Sequence, residues 1–436
     1  MSGTLLHPRL ETYIETVCAQ VKNREAHKLI REDINGHFTD ALEDELERGW
    51  NEEEAVLRAI ERLGQPEELG RSFHLIHQRR VDWPAIMCLA MLSFLGILVT
   101  IGNMRDMPFG QHDTMPWNTI AGVALGLGLG AAVFFANPRH IQKMWPLLLF
   151  GTAVLMLVTL VVGSSSRPFW GPKSLDGFDV FTMSPYLLAL GLAGALSCER
   201  WKSHWRAWLL VFTVALMQIL FALDGSPVLI VADIMLFVAL VRHREVLWRF
   251  AVVAVPALVL GVRMTLIRLP LRYVVERFTI AFHAGTAPES IGYENYQTQL
   301  LVQNAGWFGH GMGGHPFLLA GSHGVFAFAE LINLFGWSAG AVLAGVVIWL
   351  IARLWKRGMT LSQPFAYQSF LCLMTLLSFQ LIYPMMIGLG VFPIIGVKMP
   401  FVSGGPLPTI LALSSFGWLL NLLKRTEYRY QRAVEM

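Results

Sequence analysis

Glu330 is a carboxylate set inside an apolar run, Val325-Phe326-Ala327-Phe328-Ala329-Glu330-Leu331-Ile332. A charge at membrane depth is expensive and usually faces a cavity or a partner, so Glu330 either pairs within a bundle or meets a substrate. His323 stands just upstream, with His310 and His315 in the same polar segment. Because an imidazole titrates near neutrality, His323 is a candidate proton acceptor, although a loop histidine needs no such role. Lys398 lies in a proline- and glycine-rich stretch, where it acts as a point charge or snorkels to an interface. Ser403-Gly404-Gly405 follows, and a lone serine without a base is no nucleophile, so this triplet shapes backbone. The four cysteines, Cys18, Cys88, Cys198 and Cys372, lack any ligand or disulfide spacing and read as small buried apolar residues.

The elements that must hold these groups are unusual. Between two segments long enough to cross a bilayer runs Pro384 to Pro406, in which Pro393, Pro400, Gly388, Gly390, Gly396, Gly404 and Gly405 forbid a continuous helix. Broken backbone near membrane depth is tolerated only where protein or a wet cavity satisfies its amides. The stretch therefore predicts the wall of a polar chamber inside a helical bundle.

The rest of the chain supplies that bundle. It is 54% hydrophobic and 15% charged, with a mean hydropathy of +0.49, which marks a polytopic membrane protein. The net charge of +3 and the scattered bases exclude a nucleic-acid partner. About ten spans are expected, near 83–102, 116–136, 144–163, 183–198, 207–223, 226–241, 250–267, 324–352, 364–383 and 407–423. Arg139 and Lys143, Arg200 to Arg206, Arg242 to Arg249, Arg353 to Arg357, and Lys424 to Arg432 all fall on one side. By the positive-inside rule that side is the cytoplasm and holds both termini. No secretory signal is legible, because the first long apolar run begins near Trp83. Gly122, Gly126 and Gly130 form a small-residue stripe that reads as close helix packing.

Residues 1–80 are of different material. Apolar residues recur at helical spacing (Leu10, Ile14, Val17, Val21; Ile30, Ile34, Phe38, Leu42; Val56, Ile60, Leu63) with charges on the other faces. Asn51 with Glu54 reads as a helix start, and Gly64 with Pro66 as a stop. The prediction is a small soluble helical domain, cytoplasmic, ahead of a transmembrane domain over 81–425 and a tail over 426–436. The segment Leu42-Glu-Asp-Glu-Leu-Glu-Arg-Gly49 through Gly64-Gln-Pro66 resembles the prefix domain found ahead of some permease-like and signalling membrane proteins of Gram-positive bacteria.

The membrane portion carries a second resemblance. Gly390-x-x-Pro393-x-x-Gly396-x-x-x-Pro400-Phe401-x-Ser403-Gly404-Gly405 is similar to the C-terminal signature of the FtsW/RodA/SpoVE (SEDS) family. Upstream, Tyr273-x-x-x-Arg277, then Tyr296-Gln297, then Gly306-Trp307-Phe308-Gly309-His310-Gly311 follow the order of that family's long outer loop, here 268–323. Leu223-Asp224-Gly225-Ser226 stands where the family has a Pro-Asp-x-Gly-Thr turn. The likeness spans about 83–425.

Several expectations follow from the resemblance. The fold is all-α and the protein sits in the bacterial plasma membrane. The substrate is the undecaprenyl-pyrophosphate-linked disaccharide-pentapeptide, polymerised by attack of a sugar hydroxyl on an anomeric carbon, beside a class B penicillin-binding protein and membrane lipids. Arg277, Gln297, Lys398, Ser403, Gly404 and Gly405 are substrate-binding positions, and His323 and Glu330 are candidates for catalysis. No metal or cofactor is called for beyond a divalent cation with the pyrophosphate. The family's catalytic Asp falls at Ser322 or His323, neither a carboxylate, and the Glu and Lys expected after Ser184 are absent. A glycosyltransferase, a flippase or transporter of the lipid-linked precursor, and a non-catalytic scaffold all stay open.

Overall fold

The computed structural model describes residues 8–21, 27–76, 82–103, 115–165, 173–174, 179–198, 292–311, 325–394, 397–401 and 406–424, with short stretches at 212–214, 216–217, 234–235, 238, 276 and 279–281. The chain divides into two compact units, 1–81 with 424–436, and 82–423.

The first unit packs four helices: α1 (Pro8–Gln20), α2 (His27–Glu47), α3 (Glu52–Leu63) and α4 (Pro66–Ile76). Leu10, Ile14 and Val17 of α1, Ile30, Ile34 and Phe38 of α2, and Val56 and Ala59 of α3 are buried together, the faces that helical spacing selects. Asn51 caps α3 by accepting the Glu54 N–H at 2.8 Å. Gly64 ends that helix at φ 84°, and the Tyr13 hydroxyl donates to the carbonyls of Leu63 and Gly64 at 3.2 and 3.1 Å, which ties α1 to the end of α3. Glu45 is buried but satisfied, accepting from Arg48 at 2.7 Å and from Arg62 at 3.3 Å.

The second unit is built on α5 (Trp83–Asn103), α6 (Met115–Phe135), α7 (Pro138–Lys143), α8 (Trp145–Val162), α9 (Val180–Leu196), α10 (Tyr293–Asn304), α11 (Ala327–Gly358), α12 (Pro364–Gly388) and α13 (Pro406–Leu423). Among the described residues six helices, α5, α6, α8, α11, α12 and α13, are long and apolar enough to cross a membrane, and α9 is a shorter apolar helix. The spans expected over 207–223, 226–241 and 250–267 lie largely outside the described residues. In α12 and α13, 67% of the apolar stretch is buried, against 28% in α6 and α8, and most of α9 is buried too, so α9, α12 and α13 are central among the described helices and α6 and α8 lie at the rim. Among the described residues the helices are joined by one short antiparallel pair, β1 (Ser164–Ser165) with β2 (Lys173–Ser174).

Glycines decide the closest approaches. A Cβ on Gly122 would lie 2.7 Å from the Pro406 backbone, one on Gly126 2.8 Å from the Leu413 side chain, and one on Gly130 2.9 Å from the Leu413 carbonyl. The stripe is thus the seat of α13, as packing predicts. Asn421 finishes the contact by donating to the carbonyls of Val133 and Ala136 at 3.0 and 2.8 Å, the orphan acceptors at the end of α6.

At one end of this unit Asp82, 7% exposed, precedes α5 and accepts the Ala85 N–H at 3.3 Å. Its carboxylate also takes hydrogen bonds from Arg353 at 3.1 to 3.2 Å and from Arg357, both near the end of α11. Burial alone would push its pKa up. The two guanidinium groups and the backbone N–H outweigh that and hold it below the usual carboxylate range.

Candidate functional site

At the opposite end of α11 the helix is not continuous. Gly336 has φ 84° and ψ 176°, so Ala327–Phe335 and the helix from Trp337 onwards are two helices end to end. An intact α-helix would pair the N–H groups of Trp337 and Ser338 with the carbonyls of Asn333 and Leu334. Here Trp337 donates to Gly306 at 3.0 Å and Ser338 to Trp307 at 3.2 Å. The freed carbonyls of Asn333 and Leu334 accept from His310 and Gly311, each at 3.0 Å. The segment 306–311 is therefore spliced into the helix ladder, and the donors and acceptors that the break frees at Trp337, Ser338, Asn333 and Leu334 are paired again.

Two side chains strengthen the splice. The Ser338 hydroxyl also donates to Trp307 at 2.8 Å, and the Trp337 indole N–H donates to the Val302 carbonyl of α10 at 3.1 Å. Only glycine fits at the crossing. A Cβ on Gly309 would be 2.4 Å from the Leu334 carbonyl, one on Gly336 would be 2.2 Å from that of Trp307, and both residues have positive φ.

The half-helix Ala327–Phe335 carries Glu330, half-buried in its first turn, with buried Leu331, Ile332 and Asn333 beyond it. Gly388 of α12 packs against its start, since a Cβ there would be 3.1 Å from the Ala329 nitrogen. Past Gly388 the chain leaves the helix. Contrary to expectation the break does not begin at Pro384, because α12 continues through that residue to Gly388. Gly390 turns the chain at φ 72°, with the Gln299 side chain of α10 2.8 Å from where its Cβ would be. The Tyr383 hydroxyl then spans the break, donating to the Pro393 carbonyl at 2.8 Å, while its ring stacks on Phe379 and meets the edge of Phe392.

Beyond this turn Pro393, Val397, Met399, Pro400 and Phe401 are buried, so the segment is threaded into the protein and does not lie flat on its surface. Phe401 has φ 72°, the one non-glycine residue with positive φ among the described residues; its ring lies 6.0 Å from Phe416. A left-handed phenylalanine costs about 1–3 kcal/mol and persists only where its surroundings dictate it. Lys398 is exposed between buried Val397 and Met399.

Among the described residues, two buried polar atoms on α10 have no hydrogen-bond partner, Nδ2 of Asn295 and Oε1 of Gln297. Gln297 is one of the expected substrate-binding positions; Asn295, 6% exposed, joins it from the same helix with no signal of its own in the sequence. Unpaired buried polar atoms are rare, and Asn35, Thr409, Trp418 and Asn421 carry others elsewhere, so these two stand out by their place on the helix that bonds to Trp337. Of the other predicted positions, Ser322, His323, Arg277, Ser403, Gly404 and Gly405 lie outside the described residues. The structure thus brings α10, the Glu330 half-helix, the end of α12 and the chain to Phe401 to one end of the bundle. That end combines a half-buried carboxylate, an exposed cation and two orphaned amides.

Residues 80–428 match the FtsW/RodA/SpoVE family model, described as a cell cycle protein. The probable peptidoglycan glycosyltransferase FtsW of Saccharophagus degradans is 27% identical over 352 residues, covering 75% of this chain and 88% of its own length. That of Geobacter sp. (strain M18) is 25% identical over 315 residues, covering 69% and 83%. Among solved structures, a peptidoglycan synthase complex described as coordinating polymerization and crosslinking superposes with a TM-score of 0.61 at 23% identity, over 80% of this chain and 99% of that one. The rod shape determining protein RodA of Thermus thermophilus does so with a TM-score of 0.54 at 19% identity, over 80% and 98%. At these identities the superpositions speak for the fold alone.

Proposed function

This chain belongs to the FtsW/RodA/SpoVE (SEDS) family of integral membrane proteins and is a homologue of peptidoglycan glycosyltransferases; from that premise we propose that it binds a lipid-linked glycan precursor of the cell wall at the Glu330 end of its bundle. The precursor class is the undecaprenyl-pyrophosphate-linked disaccharide-pentapeptide. The observation that carries the reading is the pair of orphaned amides, Asn295 and Gln297, on the helix that packs against both breaks. Sugar hydroxyls, amides and phosphates offer the donors and acceptors these atoms lack.

In this reading about ten spans cross the plasma membrane, Arg353 and Arg357 mark the cytoplasmic side, and the spliced end faces outward. Residues 1–80 form a cytoplasmic prefix-like domain, 81–425 the membrane domain and 426–436 a cytoplasmic tail. Lys398 and Arg277 meet the pyrophosphate as point charges, and Ser403-Gly404-Gly405 shapes the chain around it. Transfer needs a group that takes the proton from the attacking sugar hydroxyl as the new glycosidic bond forms and the pyrophosphate-lipid leaves. Glu330 is the proposed carboxylate for this step, with His323 the alternative base. A class B penicillin-binding protein is the partner this fold is suited to.

The two helix breaks, at Gly336 and after Gly388, also suit a flippase, because discontinuous helices are a usual device of alternating access. The readings separate in one assay series. Purified protein should retain labelled precursor, and product strands should form unless Glu330→Gln or His323→Ala stops them. Transbilayer movement of precursor without strands identifies a flippase. Failure to retain precursor at all overturns the proposal and leaves a scaffold.

A further inference from the structure

Trp307 and Phe308 are adjacent, 73% and 86% exposed, and sit on the spliced segment. Flexible loop tips often carry a stray aromatic, but this tip is not flexible in its attachment. Its backbone is fixed at four points to the ladder of α11, and Gly306, Gly309 and Gly311 are all held at positive φ. The aromatic pair is thus presented to its surroundings by rigid chain. Two large rings held in water would forfeit the burial that aromatic side chains ordinarily gain.

The splice also fixes their depth. From Trp337, which donates directly to Gly306, about twenty residues of helix lead to Arg357, and at 1.5 Å per residue this spans about 30 Å, the thickness of the hydrocarbon core. With Arg353, Lys356 and Arg357 at one interface, Trp337 and the tip beside it fall at the other. No charged residue occurs between Ala305 and Gly309. An uncharged aromatic tip at that level matches the acyl–headgroup boundary, where aromatic rings concentrate.

We propose that Trp307 and Phe308 form a wedge inserted into the outer lipid leaflet, with the lipid itself as the partner of this surface. Because the wedge is hydrogen-bonded into the break at Gly336, it ties the position of the Glu330 half-helix to the leaflet from which a lipid-linked substrate would arrive. The wedge stands whether or not the chain binds such a substrate.

The test places the photoreactive residue p-benzoylphenylalanine at position 308 of the full-length protein in phospholipid vesicles and, separately, in native membranes. Irradiation is followed by mass spectrometry of the intact chain. Controls carry the probe at Val154, an exposed apolar position of membrane helix α8, and at Leu57, exposed on the soluble helix α3. The wedge predicts phospholipid adducts at 308 comparable with those at 154 and absent at 57. A chain labelled at 154 but not at 308 overturns it, as does a protein adduct in place of lipid at 308. As a second measurement, brominated phospholipid should quench the wild-type tryptophan emission more than that of Trp307→Phe; equal quenching contradicts insertion.

Discussion

The N–H of Trp337 donates to the carbonyl of Gly306 at 3.0 Å, thirty-one positions back along the chain and outside its own helix. This bond and its three companions turn one long helix into two and give the outer end of the bundle its shape. The half-helix bearing Glu330 is oriented by the splice, so the position of that carboxylate depends on residues 306–311 as much as on its own segment.

Gly336→Ala should therefore be far worse than an alanine elsewhere in α11. Its Cβ would meet the Trp307 carbonyl at 2.2 Å in a backbone conformation that alanine resists, a loss of about 2–4 kcal/mol. Gly345→Ala, in the same helix with nothing within 4 Å, should be neutral or slightly stabilising. Melting of the purified variants in detergent makes the comparison, and equal melting temperatures would mean that the splice does not hold.

The glycine stripe makes a similar contrast within one helix. Gly126→Leu would drive a side chain into Leu413 and Ile410, with an expected loss of about 1–3 kcal/mol, whereas Gly128→Leu faces open space and should fold normally. Thermal melting and the yield of monodisperse protein report both.

Asp82→Asn keeps the helix cap but leaves Arg353 and Arg357 without their shared counter-charge, costing about 3 kcal/mol. The folded carboxyl has a depressed pKa, so its contribution is complete above the ordinary carboxylate value of about 4 and is lost as pH falls towards the folded value. The melting temperature of wild type should fall on acidification through that window more steeply than that of Asp82→Asn. Parallel curves would remove the clamp from the account.

Tyr383→Phe deletes the hydroxyl that reaches the Pro393 carbonyl across the break, and should cost about 1 kcal/mol of stability. If the turn after Gly388 shapes the binding end, precursor retention should weaken with it. Unchanged retention would assign Tyr383 to stability alone.

Much of this was legible in the residues themselves. Apolar runs located α5, α6, α8, α12 and α13 to within a few residues, and the spacing of Gly122, Gly126 and Gly130 announced the packing of α6. The kink at Gly336 was not legible, because Leu334-Phe335-Gly336-Trp337 reads as uninterrupted apolar helix and a single glycine is tolerated there. Its cause is tertiary, a segment far upstream that competes for the ladder. Pro384 misled in the opposite sense: a proline removes one donor and often ends a helix, but packing of α12 at the centre of the bundle carries the helix four residues further. Asn295 gave no signal, since an asparagine among Tyr293, Glu294 and Tyr296 looks like ordinary loop. Only burial without a partner sets it apart.

Gln297 offers the sharpest test of precursor binding at this end of the bundle. Its Oε1 is buried without a partner among the described residues, so Gln297→Leu should leave the melting temperature unchanged or raise it. The measurement is the melting temperature of purified wild type and Gln297→Leu, each with and without the lipid-linked disaccharide-pentapeptide. The account predicts that the precursor raises the wild-type value and that the variant loses most of that rise. A wild type that the precursor does not stabilise, or a variant stabilised as strongly as wild type, would contradict it.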